Sequence, residues 1–263
     1  MKFLTLQVLL FCTFSLLYAA PIEEVVEEEN FIGIFGNHFQ GDISLTPEQE
    51  QALLTGGRNG RTGILDLNFR WPKIGNLVHV PYVISSEYSS KERKMIIDAM
   101  DEIHEKTCIR FVPRTNQIDY VNVTNTNDGC YSKVGRVGGA QIVALAVPGC
   151  FVHGKIMHEF YHALGFDHMH SHTDRDSYVK INFENIEDGK ASQFDIVNIN
   201  GYGNFDTPYD FDSTMHYGPY FFSKNGQMTI QPLNPDNEKR MGQEEKLSEG
   251  DVLRMNRMYN CFV

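Results

Sequence analysis

The stretch that most constrains this chain is HEFYHALGFDH, residues 158–168, which contains three histidines and one glutamate. His158 and His162 are four residues apart, so on a helix they share one face. Gly165 follows, and a glycine tolerates positive φ and can end a helix sharply. That turn would bring His168 to the same point from outside the helix. Three imidazoles without a protein thiolate favour zinc and leave a fourth position open for water.

Glu159 stands beside the first of these histidines, where its carboxylate can reach a metal-bound water without binding the metal. A bound zinc lowers the pKa of that water to about 7. Glu159 can then accept the proton and pass it to the leaving amine, first as general base and then as general acid. These residues at this spacing are therefore what hydrolysis by a zinc-bound water requires. The alternative is a helix whose histidines are hydrogen-bonded in the core or at the surface. H-E-x-x-H alone occurs by chance in such helices, whereas the full H-E-x-x-H-x-x-G-x-x-H fixes five positions and is much more specific for a metal site.

A second motif, STMHY at residues 213–217, supports the zinc interpretation. A methionine turn beneath the metal belongs to the metzincin pattern, and Met215 is its candidate methionine. The alternative for Met215 is an ordinary core methionine. Tyr217 ends the motif, and unless it has a role at the metal it is a buried tyrosine with a satisfied hydroxyl.

The amino terminus is typical of a secretory signal peptide, predicted here over residues 1–20. Lys2 supplies the short basic region, residues 3–17 form the apolar core, and Ala19 and Ala20 suit cleavage. The apolar run is short for a membrane anchor. We therefore expect a soluble, secreted, extracellular protein.

The cysteines fit an oxidising compartment. Cys12 would leave with the signal peptide, and an even number would remain, which predicts two disulfides with three possible pairings. The remaining cysteines are Cys108, Cys130, Cys150 and Cys261. The NVT triplet at Asn122 is a glycosylation sequon, which also fits secretion.

The acidic charge is concentrated before the main domain. The formal net charge is -11, and residues 21–61 hold eight acidic and two basic residues. No basic cluster points to nucleic acid or an anionic membrane as a partner. The Gly-rich segment GGRNGRTG carries Arg58 and Arg61 at R-x-x-R spacing, where a processing protease would cut. An ordinary polar loop is the alternative.

Elements can be placed along most of the chain. A capping box of Thr46 and Gln49, with Pro47 at the first helical position, predicts a helix that ends near Gly56. Ser89 and Glu92 begin a second helix with a second capping box. Strands are predicted at HVPYVIS, IRFVP, DYVNVTN and AQIVALAVP, and further helices at HGKIMHEFYHALGF and SEGDVLRMNRMYN. This order predicts a mixed α/β layer for the first half, followed by a less regular part.

Several motifs together resemble the astacin family of zinc endopeptidases, which belong to the metzincins. They are HEFYHALGFDH, DRDSYV, DFDSTMHYGPYFFS, EKTCIRFVPR and GCYSKVGRVGGAQIVAL, and the resemblance covers residues 62–263. Upstream, HFQGDISL resembles the family's propeptide motif F-x-G-D. The expected organisation is a signal peptide over 1–20, a propeptide over 21–61 and a catalytic domain over 62–263.

The resemblance implies an α+β fold. A twisted, mainly parallel sheet and two long helices would lie above a cleft, with an irregular lower subdomain and a C-terminal helix. One zinc ion would be bound by His158, His162 and His168, with Tyr217 as a further ligand that swings to hydrogen-bond the oxyanion. Glu159 would be the catalytic base. The edge strand near AQIVALAV would hold an extended protein or peptide substrate by strand addition.

The resemblance also implies the disulfide pairs Cys108–Cys261 and Cys130–Cys150. Asp42 would bind zinc in a zymogen and displace the water, since a carboxylate is a competent zinc ligand. A processing protease would cut after Arg61, which would make Thr62 the new amino terminus.

Two departures from the family pattern keep alternatives open. Met169 replaces a glutamate that would pair through water with the new amino terminus, and Ser171-His172 replaces a serine-arginine pair. His170 and His172 are expected to face solvent, where their titration near neutral pH could tune activity. A secreted binding protein with a vestigial site is the alternative from another class. Another metzincin, such as a matrixin or adamalysin, would keep the chemistry.

Overall fold

The computed structural model describes residues 38–47, 49–50, 67–196 and 205–261. The predicted signal peptide and the predicted cleavage residues Arg61 and Thr62 lie outside the described residues. No helix in the described part of the chain is long and apolar enough to cross a bilayer.

One sheet of six strands lies at the centre of the main core. The strands are β1 (Lys73–Ile74), β2 (Leu77–Ile84), β3 (Ile109–Pro113), β4 (Tyr120–Thr124), β5 (Cys130–Ser132) and β6 (Ala140–Leu145). Parallel pairing joins β2 to both β3 and β4, and β4 to β6. Strands β1 and β5 are antiparallel to their neighbours β2 and β6. The predicted mainly parallel sheet is confirmed, and all four predicted strands are present.

The prediction that the segment AQIVALAV forms the edge of the sheet is wrong. Strand β6, which contains most of it, pairs with β4 on one side and β5 on the other. The edge is the short strand β5, which the sequence prediction missed. Val143, Ala144 and Leu145 are fully buried, as expected for an interior strand that is covered on both faces.

Two long helices pack with this sheet. Helix α1 (Ser90–Lys106) begins with the predicted capping box, in which Ser89 and Glu92 each bond the other's backbone. Its predicted apolar face is buried, with Ile96 and Ile103 fully inaccessible. Helix α2 (His153–Ala163) packs against α1, β5 and β6.

The lower part of the molecule has little regular structure, as predicted. It contains a two-stranded antiparallel sheet of β7 (Val179–Ile181) and β8 (Ile230–Pro232) and several short 3-10 turns. Its separate hydrophobic core includes Phe194, Tyr217 and Phe221. The C-terminal helix α3 (Glu249–Met258) instead sends side chains into the core of the large sheet.

Both predicted disulfides are present. Cys108, between α1 and β3, is bonded to Cys261 after α3. Cys130 on β5 is bonded to Cys150, just before α2. The first bond ties the end of the chain to the large sheet, and the second fixes the edge strand to the helix that carries the motif.

Helices α1 and α2 are joined by a half-buried ionic cluster at Glu102. Its carboxylate accepts hydrogen bonds from Lys106, from the His153 ring at 2.8 Å and from the Leu247 N–H at 3.2 Å. Burial alone raises the pKa of Glu102, but the bonds from Lys106 and His153 outweigh it, so the pKa lies below its ordinary value. The ionised form is therefore the one that stabilises the fold.

Replacing Glu102 with Gln should lower the free energy of unfolding at neutral pH. A depressed folded-state pKa stabilises the fold above the unfolded pKa and ceases to do so as pH falls through the folded value. The difference between the parent and Glu102→Gln should therefore shrink as pH falls below the ordinary value of 4.5. Chemical unfolding of both proteins from about pH 7 to about pH 3 measures this. A difference that stays constant over that range would contradict the assignment.

Candidate active site

Helix α2 brings His158, Glu159 and His162 to one place. The His158 and His162 rings share a face, with their centroids 4.7 Å apart. Each ring donates its Nδ1 hydrogen to a main-chain oxygen: His158 to Thr214 at 2.8 Å, and His162 to Phe166 at 2.7 Å. These bonds set the tautomer and leave each Nε2 with a free lone pair.

The turn after α2 brings in His168, as predicted. Gly165 has φ 107, a left-handed conformation that suits glycine, and its N–H donates to the His162 carbonyl at 2.7 Å. The chain then reverses, and His168 enters the site from outside the helix. Its Nδ1 lies 2.8 Å from the side-chain oxygen of Gln40.

The carboxylate of Asp42 lies among the three Nε2 atoms. It is 3.2 Å from those of His158 and His168 and 3.5 Å from that of His162. Together these four residues offer ligand atoms that all lie within 4.8 Å of one another. The structure thus unites the predicted histidines with the predicted zymogen residue.

The geometry of this cluster fits a metal ion. The His162 Nε2 and Asp42 Oδ1 atoms are buried and have no hydrogen-bond partner among the described residues. The Nε2 atoms of His158 and His168 are 3.2 Å apart, yet both rings already place their hydrogen on Nδ1. A cation satisfies these lone pairs together, and three imidazoles with a carboxylate are zinc ligands.

Burial and the charges within the cluster act together on its pKa values: burial lowers the pKa of His158, but the Asp42 carboxylate outweighs it and raises that pKa. His168 behaves differently from His158. Burial lowers the pKa of His168 to about 3, against the opposing charge of Asp42, and the neutral imidazole is the form that binds metal. Burial alone would raise the pKa of Asp42, but His168 and the other two histidines hold it well below its ordinary value. For Glu159, burial and then the negative charge of Asp42 raise the pKa well above its ordinary value.

Glu159 is almost fully buried beside the ligand cluster, at 1 % exposure. Its Oε2 has no hydrogen-bond partner within the described residues. An unpaired buried carboxylate oxygen costs about 1–3 kcal/mol, and the described residues do not offset this cost at Oε2. The prediction that Glu159 is the catalytic base remains a prediction.

A buried carboxylate supports the methionine turn from behind. Asp251, at the start of α3, accepts hydrogen bonds from the Ser213 hydroxyl at 2.6 Å and the Thr214 N–H at 2.9 Å. It also completes a capping box with Ser248. The Thr214 N–H is held by Asp251, and the Thr214 carbonyl holds the His158 ring. Asp251 therefore orients the ligand His158 through the main chain of Thr214.

Met215 is fully buried in the core of the large sheet. Its carbonyl accepts the Met169 N–H at 2.9 Å, which anchors the residue that follows His168. The turn at 213–215 therefore bonds His158, a ligand on the helix, and also Met169, the residue that follows the ligand His168. The sequence prediction included the turn but missed Asp251, although the capping pattern S-x-x-D at 248–251 signalled a helix start there.

Tyr217 lies beside the cluster in an aromatic stack. Its ring lies between His170 and Phe221, with centroids 3.8 Å and 3.9 Å away. Its hydroxyl donates to the main-chain oxygen of Gln40. The ring centroid is 4.6 Å from that of His168. The roles of Tyr217 as a metal ligand and oxyanion donor remain predictions.

The expectation that His170 faces solvent is wrong. Its ring is fully buried, packs on Tyr217 and bonds the Gln193 carbonyl at 3.1 Å. Burial lowers its pKa well below the ordinary value, so it does not titrate near neutral pH. Met169 is also buried, and the Arg254 guanidinium contacts its sulfur at 3.7 Å.

The described residues between 38 and 50, called the segment 38–50 below, lie along the edge of the sheet. Ile43 pairs in parallel with Ser132 of β5. The Ser132 N–H donates to the Asp42 carbonyl at 2.9 Å, and the Ser44 N–H donates to the Ser132 carbonyl at 2.8 Å. The predicted capping box of Thr46 and Gln49 is present. The Lys133 ammonium contacts oxygens of this segment, including the Ser44 hydroxyl at 3.2 Å. The sequence prediction missed Lys133 and Gln40.

Asn122 lies within β4, and both edges of that strand are paired. The side chain is half-buried. Glycosylation at Asn122 remains a prediction.

The family model described as Astacin, a peptidase family, matches residues 66–260. The chain belongs to the astacin family. It is therefore a zinc metalloendopeptidase with a ligand group of three histidines and an aspartate.

Individual relatives agree with this membership. The zinc metalloproteinase nas-4 of Caenorhabditis elegans is 42% identical over 228 residues, which are 86% of this chain and 70% of that protein. The low choriolytic enzyme of Oryzias latipes is 47% identical over 193 residues, 73% of this chain and 69% of that protein.

A solved structure shows the same fold. It is high choriolytic enzyme 1, a hatching enzyme zinc-protease from the medaka Oryzias latipes. The TM-score is 0.70 at 45% identity, covering 74% of this chain and 96% of the other. The predicted α+β metzincin fold is confirmed.

Replacing Asp251 with Ala should weaken zinc binding about tenfold, the lower end of the effect of losing an outer partner of a metal ligand. The reason is that the Thr214 N–H and the Ser213 hydroxyl lose their acceptor, which frees the turn that holds His158. Competition with a chromogenic chelator measures the zinc affinity. Ser248→Ala is the matched control, because it weakens the helix cap but leaves the bonds from Asp251 to the turn. Equal zinc affinities in the two variants would contradict this role.

Proposed function

We propose that this chain is a secreted zymogen of a zinc endopeptidase, in which Asp42 blocks the site and Glu159 is the general base. The observation that carries the proposal is the insertion of the Asp42 carboxylate among the three histidine Nε2 atoms. A residue from outside the region matched by the family model thereby occupies the place where a water or substrate would bind.

His158, His162 and His168 would hold one zinc ion per chain, with Tyr217 as a further ligand once the segment 38–50 has left. The ion supplies Lewis acidity that activates water and polarises the scissile carbonyl. Two predicted elements extend the proposal: Asn122 would carry a glycan, and a signal peptide over 1–20 would direct secretion. The two disulfides fit an extracellular environment.

Glu159 would accept a proton from the attacking water at its carboxylate and return it to the leaving amine nitrogen. Its burial in an unpaired state supports this, because the carboxylate is close to the cluster yet its Oε2 is engaged by none of the described residues. Tyr217 would donate its hydroxyl hydrogen to the oxyanion. In the latent form that hydroxyl is held by the Gln40 carbonyl.

A protein or peptide substrate would bind in extended form along β5. The segment 38–50 already bonds this edge through its main chain. Once the segment is gone, the N–H and C=O groups of Ser132 could receive another strand. Cleavage after Arg61 by a processing protease, with Thr62 as the new amino terminus, would release the segment.

Glu159→Gln should abolish peptide cleavage while the protein keeps its zinc. The amide has nearly the shape of the carboxylate but cannot accept the proton, so kcat should fall about a thousandfold or more. Digestion of casein by the trimmed protein and metal analysis of the same sample measure both properties. Glu184→Gln, at an exposed position, is the control and should cleave normally. Full activity of Glu159→Gln would refute the base assignment.

Asp42→Ala should make the untrimmed chain active, because the carboxylate that occupies the site is gone. With Arg61→Ala added to prevent trimming, we expect about a tenfold or greater rise in peptide cleavage by the full-length protein, since a water can then reach the metal. Glu50→Ala is the matched control, because it removes an exposed carboxylate from the same segment. A full-length Asp42→Ala protein as silent as its parent would show that the switch is not Asp42.

A further inference from the structure

We infer that Gln40 is a second anchor of the latent state, a positioning residue that holds the ligand His168 through its outer ring nitrogen. This inference rests on the proposed latency and adds to it. Asp42 would act as a direct ligand, whereas Gln40 would act through His168 and would also restrain Tyr217. The segment 38–50 would then strengthen zinc binding in two separate ways.

His168 differs from the other two histidines in the part of the chain that supplies the hydrogen-bond acceptor for its Nδ1. The Nδ1 partners of His158 and His162 are main-chain carbonyls of the region matched by the family model. The Nδ1 partner of His168 is the Gln40 side-chain oxygen, at 2.8 Å. One ligand of the cluster is therefore oriented by the segment that is to be removed.

The chemistry of the pair fixes which end of the amide faces the ring. A ring that binds metal through Nε2 carries its hydrogen on Nδ1, so an acceptor must face it. The side-chain oxygen of Gln40 occupies that place. The side-chain amide nitrogen of Gln40 has no hydrogen-bond partner among the described residues. Gln40 is fully buried, so the bond to His168 is shielded from water.

The backbone at Gln40 is arranged for the same contacts. Gln40 has φ 48, a left-handed conformation that is unfavourable for a residue with a side chain. The turn closes with a bond from the Gly41 N–H to the His38 carbonyl. In this conformation the side chain of Gln40 meets His168 while its carbonyl accepts the Tyr217 hydroxyl.

The test measures how fast the full-length protein loses zinc to a chromogenic chelator. Arg61→Ala is present throughout so that the segment stays attached. Gln40→Leu keeps the size of the side chain but removes the acceptor for His168. It should release zinc about tenfold faster than the parent, which is the lower end of the effect of losing a hydrogen-bond partner of a metal ligand. Gln40→Glu retains an acceptor oxygen and should restore a rate close to the parent's.

Gln49→Ala is the matched control. Gln49 is a buried glutamine of the same segment, but its side-chain oxygen bonds the Thr46 N–H within that segment. It should release zinc at the parental rate. In the cobalt-substituted protein, the visible bands should shift for Gln40→Leu and not for Gln49→Ala, since only the first substitution changes the surroundings of a ligand.

The outcomes separate this inference from the proposed latency. Parental zinc release by Gln40→Leu, or equally fast release by Gln40→Leu and Gln49→Ala, would overturn the role of Gln40. Should Gln40→Leu not fold, Gln40→Ala takes its place in the same comparison. The latency proposal fails on a different result, a silent Asp42→Ala protein.

Discussion

Three imidazole Nε2 atoms converge on one point, and this convergence is the constraint that the elements around the site must meet. Each ring reaches this point because its Nδ1 hydrogen is donated to a fixed oxygen, those of Thr214, Phe166 and Gln40. Neutral nitrogens that share no hydrogen repel one another at 3.2 Å unless a cation lies between them. The fold around them holds the rings in this arrangement, and the bonds that orient His162 and His168 are buried.

The holding structure spans elements that are far apart along the chain. Asp251 on the last helix fixes the turn at 213–215, and the turn fixes His158 from one side and the Met169 N–H from the other. The disulfide from Cys108 to Cys261 keeps the end of that helix against the large sheet. The C-terminal helix thus joins two parts of the molecule, since Met255 lies in the core of the large sheet while Arg254 contacts Met169 of the lower core.

The two wrong predictions have physical causes. Family resemblance placed the edge at AQIVALAV, but a continuous apolar run is the pattern of a strand covered on both faces. The true edge, β5, has three residues, too few to show a period. His170 follows the last ligand and carries a polar ring, yet the ring is buried, where it stacks on Tyr217 and bonds the Gln193 carbonyl through Nε2.

The pattern of residues indicated the ligand histidines, the glutamate beside them and the capped helices, because spacing on a helix and cap chemistry are local. The family followed from the resemblance of several motifs. That resemblance, rather than geometry, also indicated Asp42. The folded chain was needed to show that Asp42 lies at the imidazoles, that Gln40 and Asp251 orient ligands, and that β5 is the edge. Those contacts join residues that are distant in sequence, and local pattern carries no information about which distant groups meet.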